Sequence, residues 1–227
     1  MSLFSKIDVS SFQLSTRFED AAHLKEVGVL LSADEQGFFS ICSYSDGEQD
    51  LQKHEQSNGE ETFLVAESTD IESRLSGLIQ HKIELGRVNA NRGCFLYVVE
   101  KRSDVDRLLG ASSQMPLVWQ SPRTILSGCN SATFELVSRA LQLANWVGDH
   151  RYCGCCGTEL RLKTDMKAMH CEPCQREYFP RLSPCIITLV TRGDECLLAC
   201  HVSRPQFFTT LAGFIEAGES AENCVHR

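Results

Sequence analysis

The sequence predicts an α+β chain organised around a small zinc ribbon. Three observations carry that reading: two cysteine pairs, short apolar runs of strand type on either side of them, and two stretches with helical spacing. The pairs are Cys153-x2-Cys156 and Cys171-x2-Cys174, separated by 14 residues. Four thiolates at this spacing suit one tetrahedral zinc ion, with a hairpin between the pairs returning the second to the first. Buried free thiols or a disulfide pair are the alternatives. Cys155 competes with its neighbours for the first pair. Gly157 decides for Cys153 with Cys156, because it can take the left-handed conformation that closes such a turn. Cys155 is then an outward spare thiol, and His170 a neighbour of the cluster rather than a ligand.

In chain order, residues 1–128 read as a small α+β domain. Strand-like runs occur at Val27–Leu31, Phe38–Cys42, Phe63–Ala66 and Phe95–Val99. A polar loop, Ser45–Glu61, lies between them. Ile71, Leu75, Leu78 and Ile79 recur at helical spacing, with Thr69 or Asp70 as cap. His23, His54 and His81 have no partner spacing and read as surface or satisfied residues. A connecting helix is predicted within 129–150. Ser131 is its expected cap, and Phe134, Val137, Leu141, Ala144 and Val147 its expected apolar face. That face could anchor the ribbon or serve a dimer.

The ribbon spans 151–180, and a different pattern fills 181–227. Cys185–Val190 is a continuous β-branched apolar run that suits a strand buried on both faces. Gly193-Asp194 supplies a turn, Cys196–Cys200 the returning strand, and Phe207–Leu211 a third segment. The glycine-punctuated acidic loop Ala212–Glu219 follows. Ser220 then caps a helix running to Arg227, and Glu222 complements its dipole.

Composition excludes several classes. The formal net charge of −8 argues against a broad electrostatic grip on nucleic acid. No apolar run reaches the length of about 18 residues that a membrane helix needs, and the N-terminus lacks a secretory pattern. Twelve cysteines, unevenly placed, fit reduced cytoplasmic thiols better than a secreted disulfide framework.

Gly213, five residues, Glu219, seven residues and Arg227 form the opening of a Nudix box, G-x5-E-x7-R. It follows the four-cysteine hairpin, then YFP, SPCIITLV and LAGFIEAGE. In that order and spacing the chain resembles the bacterial NADH pyrophosphatases of the Nudix hydrolase family, closely from about Phe134 and faintly before Trp119. The resemblance implies the opening strands of an α/β/α Nudix sandwich after the ribbon. It also implies cleavage of NAD(H) to NMN(H) and AMP, and removal of NAD caps from RNA. Implied cofactors are a structural Zn2+ on Cys153, Cys156, Cys171 and Cys174, and a catalytic Mg2+ or Mn2+. A homodimer is implied as well. The carbonyl of Ala212 would bind the catalytic metal. Arg123 and Phe179 would contact substrate; Phe179 stands where tyrosine can occur, which removes a phenol hydrogen bond.

The chemistry accounts for the motif. Pyrophosphate hydrolysis needs activated water and neutralised oxygens, which divalent metals supply, and hard cations want carboxylate and carbonyl oxygens. Glu219 and Arg227 are expected to form an ion pair bracing the loop, with Glu216 solvated. The family's catalytic glutamates would come directly after Arg227. The expectation is therefore that a polypeptide of these 227 residues lacks hydrolase activity and exposes aggregation-prone edges at 185–190 and 196–200. The competing reading is a non-catalytic zinc-ribbon interaction module.

Overall fold

A computed structural model describes residues 12–14, 25–34, 38–41, 66–89, 92–109, 117–163 and 165–227. The chain is a mixed α+β protein, and its contacts divide it into two compact units, Met1–Pro180 and Arg181–Arg227.

The first unit is built on one mixed sheet. Its strands are β1 (Phe12–Leu14), β2 (Lys25–Ser32), β3 (Phe38–Ile41), β4 (Ala66–Glu67), β5 (Ile79–Val88), β6 (Arg92–Val99) and β7 (Leu117–Gln120). They run in the order β1-β5-β6-β2-β3-β7, with β4 also paired to β2. β2 and β6 are parallel along their whole length, from Lys25 opposite Arg92 to Ser32 opposite Val99. The other pairings are antiparallel.

Strand alternation sends side chains to two separate cores. Val29 and Leu31 of β2 and Cys94, Leu96 and Val98 of β6 enter one; Leu30, Tyr97 and Val99 enter the other. The second core is closed by α1 (Ser68–Leu75), through Ile71 and Leu75, and by α2 (Arg102–Leu109), through Val105. The strand buried on both faces is thus β6, in the middle of this sheet. Gly28 marks the closest approach. A Cβ there would run into the Tyr97 ring and lie 2.8 Å from Ile71 Cδ1.

The first core is covered by α3 (Pro122–Gly128) and α4 (Ser131–Asp149). Ser121 caps α3 by accepting from the Thr124 N–H, with Pro122 in the first turn where its missing donor costs nothing. α4 is the expected connecting helix, but Asn130 caps it, one residue before Ser131, accepting from the Thr133 N–H at 2.9 Å. Val137, Ala144 and Val147 are buried as expected, whereas Phe134 stands exposed. The buried stripe is wider than expected, adding Thr133, Leu136, Ala140, Leu143 and Trp146 to those three residues. Leu160, Met169, Cys153 and Cys171 of the ribbon join this core, so α4 packs against sheet and ribbon together.

Two local readings change. Ile79 opens β5 rather than extending α1. The helix stops at Leu75, and the turn holding Gly77 and Leu78 follows. The Ser45–Glu61 loop, His23 and His54 lie outside the described residues.

The second unit has three antiparallel pairs. β11 (Cys185–Thr188) joins β16 (Leu211–Phe214), β12 (Val190–Arg192) joins β13 (Glu195–Leu197), and β14 (Ala199–His201) joins β15 (Arg204–Thr209). Gly193 makes the β12–β13 turn at φ 58°. The run 185–190 is therefore two strands interrupted at Leu189, and it is not buried on both faces. Ile187 is 72% exposed and Phe214 68%. Among the described residues of this unit only Cys224, on α5 (Ala221–His226), is buried. The apolar pattern indicates strand, as observed, but each ladder has two strands, and α5 lies against the β11–β16 pair through Cys224.

Candidate metal centre and box loop

The ribbon is a three-stranded antiparallel sheet of β8 (Arg161–Leu162), β9 (Met169–Cys171) and β10 (Arg176–Tyr178). The first cysteine pair sits in a turn closed by Gly157 at φ 74°, where the Gly157 N–H donates to the Cys153 carbonyl at 2.9 Å. The second pair sits in the β9–β10 turn, with Gln175 at φ 53°.

These turns bring the sulfurs of Cys153, Cys156, Cys171 and Cys174 within 4.8 Å of one another. Cys156 Sγ and Cys171 Sγ are 3.5 Å apart. Sulfurs bound to one zinc ion at about 2.3 Å stand roughly 3.8 Å apart in a tetrahedron, so the donor set fits. Cys155 is exposed and outside the cluster. His170 is outside it too, because alternation along β9 puts Met169 and Cys171 on one face and His170 on the other.

The first pair of thiols is prepared for a metal. The Tyr178 phenol lies 3.2 Å from Cys153 Sγ, and the Cys155 N–H donates to the same sulfur at 3.4 Å. The Tyr178 hydrogen bond, followed by backbone N–H groups, draws the Cys153 thiol down to about 6. The Thr158 hydroxyl, 3.3 Å from Cys156 Sγ, lowers that thiol as well. Burial raises Cys171, and the neighbouring Cys156 raises Cys174. Tyr178 and Thr158 were not singled out from the sequence. Tyr178 pairs with Met169 and so shares a sheet face with Met169 and Cys171, a placement that the strand register decides and residue spacing does not.

In the second unit Gly213 and Ala212 lie on β16, with Ala212 opposite Ile187. The loop turns through Gly218 at φ 82° and enters α5, capped by the Ser220 hydroxyl. Arg227 returns onto the loop. Its Nε donates to Glu219 Oε1 at 2.9 Å, and its Nη2 to Glu219 Oε2 at 3.1 Å and to the Phe214 carbonyl at 2.9 Å. The Glu216 N–H donates to Glu219 Oε2 at 3.0 Å. Glu219 precedes the helix, so the pair closes the loop onto the end of α5. The Arg227 guanidinium and the Glu216 N–H hold the Glu219 carboxyl down at about 2. Glu216 is exposed. Cys224, unread in the sequence, packs its sulfur 3.3 Å from the Phe214 carbonyl.

The remaining site residues stand apart from these networks. Arg123 is exposed in the first turn of α3, and Phe179 is 53% exposed just beyond β10. Ala212 belongs to the other unit.

The four-sulfur ribbon precedes the Gly-Glu-Arg loop in the chain, and over part of its length the chain is similar to curated proteins. It is 44% identical over 110 residues to a protein of Stutzerimonas stutzeri named NAD-capped RNA hydrolase NudC, covering 48% of this chain and 40% of that protein. A protein of the same name from Pseudomonas syringae pv. tomato is 44% identical over 113 residues, covering 48% and 40%. One from Pseudomonas putida is 40% identical over 136 residues, covering 58% and 46%. No protein-family model matches the chain. Over the matched stretch the chain is similar to these proteins, in keeping with its resemblance to the NADH pyrophosphatases of the Nudix family. The matches span less than half the length of these relatives.

Proposed function

We propose that the protein to which these residues belong hydrolyses the pyrophosphate bond of NAD(H), giving NMN(H) and AMP, and removes NAD caps from RNA. The observation that carries this reading is the order of two built features. A four-sulfur cluster in the first unit precedes an ion-paired Gly213–Glu219–Arg227 loop in the second. Relatives whose printed name is NAD-capped RNA hydrolase support the substrate class.

Cys153, Cys156, Cys171 and Cys174 would hold a structural zinc ion that fixes the ribbon against α4. The Ala212 carbonyl, with glutamates beyond Arg227, would hold Mg2+ or Mn2+, which supplies activated water and neutralises phosphate charge. Glu219 and Arg227 keep the loop in one conformation. Arg123 offers a guanidinium to substrate phosphate, and Phe179 an aromatic face to a base. The protein works as a cytoplasmic homodimer, with an N-terminal domain over 1–128, a connecting helix over 129–150, the ribbon over 151–180 and a Nudix domain opening at 181. Among the described residues no helix is long and apolar enough to cross a membrane.

The test is product analysis with the full-length protein. NADH and an NAD-capped RNA are supplied separately with Mg2+ or Mn2+. Release of NMNH and AMP from the first, and of NMN from the second, is expected. Neither product above a metal-free control would overturn the proposal.

A further inference from the structure

The ribbon is crossed by a side-chain contact that does not involve a metal ligand pair. Tyr178 lies on β10, 25 positions from Cys153, and its hydroxyl reaches Cys153 Sγ at 3.2 Å. Cys153 is 3% exposed and Tyr178 half-buried, so the contact is shielded from competing water. The ring is held by His150 at the end of α4, with ring centroids 5.9 Å apart. His150 is itself fixed, its Nδ1 2.8 Å from the Trp146 carbonyl. Four thiolates around Zn2+ leave two excess negative charges on sulfur, and charge-assisted donors at sulfur lower their energy. Cys153 receives two such donors, the Tyr178 O–H and the Cys155 N–H at 3.4 Å. Groups of this kind orient a ligand and govern how firmly the metal is kept.

We propose that Tyr178 is a positioning residue of the zinc centre: its hydroxyl donates to the Cys153 thiolate and clamps the first cysteine turn to the return strand, so that the metal is retained. The inference rests on the zinc reading of the four cysteines. It assigns to the hydroxyl, not to the ring, a share in zinc retention.

The test compares the full-length wild type with Tyr178→Phe, which keeps the ring, and His150→Ala, which removes the ring's neighbour. Zinc release into an excess of a chromogenic chelator is timed, and the thiolate-to-metal absorption band is recorded after Co2+ substitution. Tyr178→Phe is expected to release zinc about tenfold faster and to move the Co2+ band to longer wavelength, because a sulfur without its donor gives up charge more readily. His150→Ala, which keeps the hydroxyl but frees the ring, should move the band the same way by less; a larger shift than in Tyr178→Phe overturns the proposal. Equal release rates and an unmoved band in Tyr178→Phe overturn the proposal while leaving the zinc reading intact. A wild type without zinc overturns the zinc reading and the proposal with it. Should Tyr178→Phe fold poorly, fluorotyrosine at 178, a stronger donor of the same shape, must move the band to shorter wavelength; no movement overturns the proposal.

Discussion

The Glu219 carboxylate accepts two hydrogen bonds from Arg227 and one from the Glu216 N–H. Those donors depress its pKa from the ordinary 4.5 to about 2. A depressed carboxylate stabilises the folded loop above its unfolded pKa, and that contribution is lost as pH falls through the folded value. Loop order should therefore persist to pH 4.5 and disappear between there and about 2. Titration of the Glu219 side-chain carbon by NMR checks this. The midpoint should lie near 2 in the wild type and return to the ordinary range in Arg227→Met. A wild-type midpoint near 4.5 would show the pair to be absent in solution. Solvent reaches Arg227, so salt should weaken the effect. At this scale the cysteine set and the Glu219–Arg227 partnership were legible, because ligand spacing and opposite charge are written in the residues. Tyr178 and Cys224 were not, since their contacts depend on which strand face or helix face meets a loop.

Elements show where tertiary packing decides. Gly28 sits where β2 passes under the Tyr97 ring, with Ile71 of α1 closing the other side. Gly28→Ala should destabilise the first unit by about 1–3 kcal/mol through overpacking, read as a lower urea midpoint at unchanged slope. An unchanged midpoint would mean that the two layers yield freely there. Short continuous runs of apolar, β-branched and aromatic residues made β2 and β6 legible over Val27–Leu31 and Phe95–Val99. The polar and charged residues of β5 hid that strand, because Gln80, Lys82 and Glu84 interrupt any apolar run. Of the expected face of α4, Val137, Ala144 and Val147 are buried and Leu141 packs against the core, and only Phe134 departs from it. Phe134 fits the same helical period as Val137, and only the surrounding sheet and ribbon determine which flank is covered. For 185–190 the residue types indicated strand correctly, whereas burial depends on other layers that residue type does not specify.

For the molecule as a whole, the two units differ in how they are covered. The first has two cores, one shared with the ribbon. The second exposes Ile187, Phe207, Phe208 and Phe214, large apolar side chains of the kind that bind hydrophobic probes. A polypeptide of these 227 residues should therefore bind a hydrophobic dye strongly. Weak dye binding would contradict this. The ribbon shares Cys153, Cys171, Leu160 and Met169 with the first core, so losing its metal should loosen more than the hairpin. Zinc stoichiometry, with melting followed before and after extraction, tests the central claim most directly. The account predicts one zinc ion per chain, held by the four cysteines, absent in Cys171→Ser, with a clearly lower melting temperature once removed. A purified protein with no bound zinc, or one whose melting is indifferent to extraction, would contradict it.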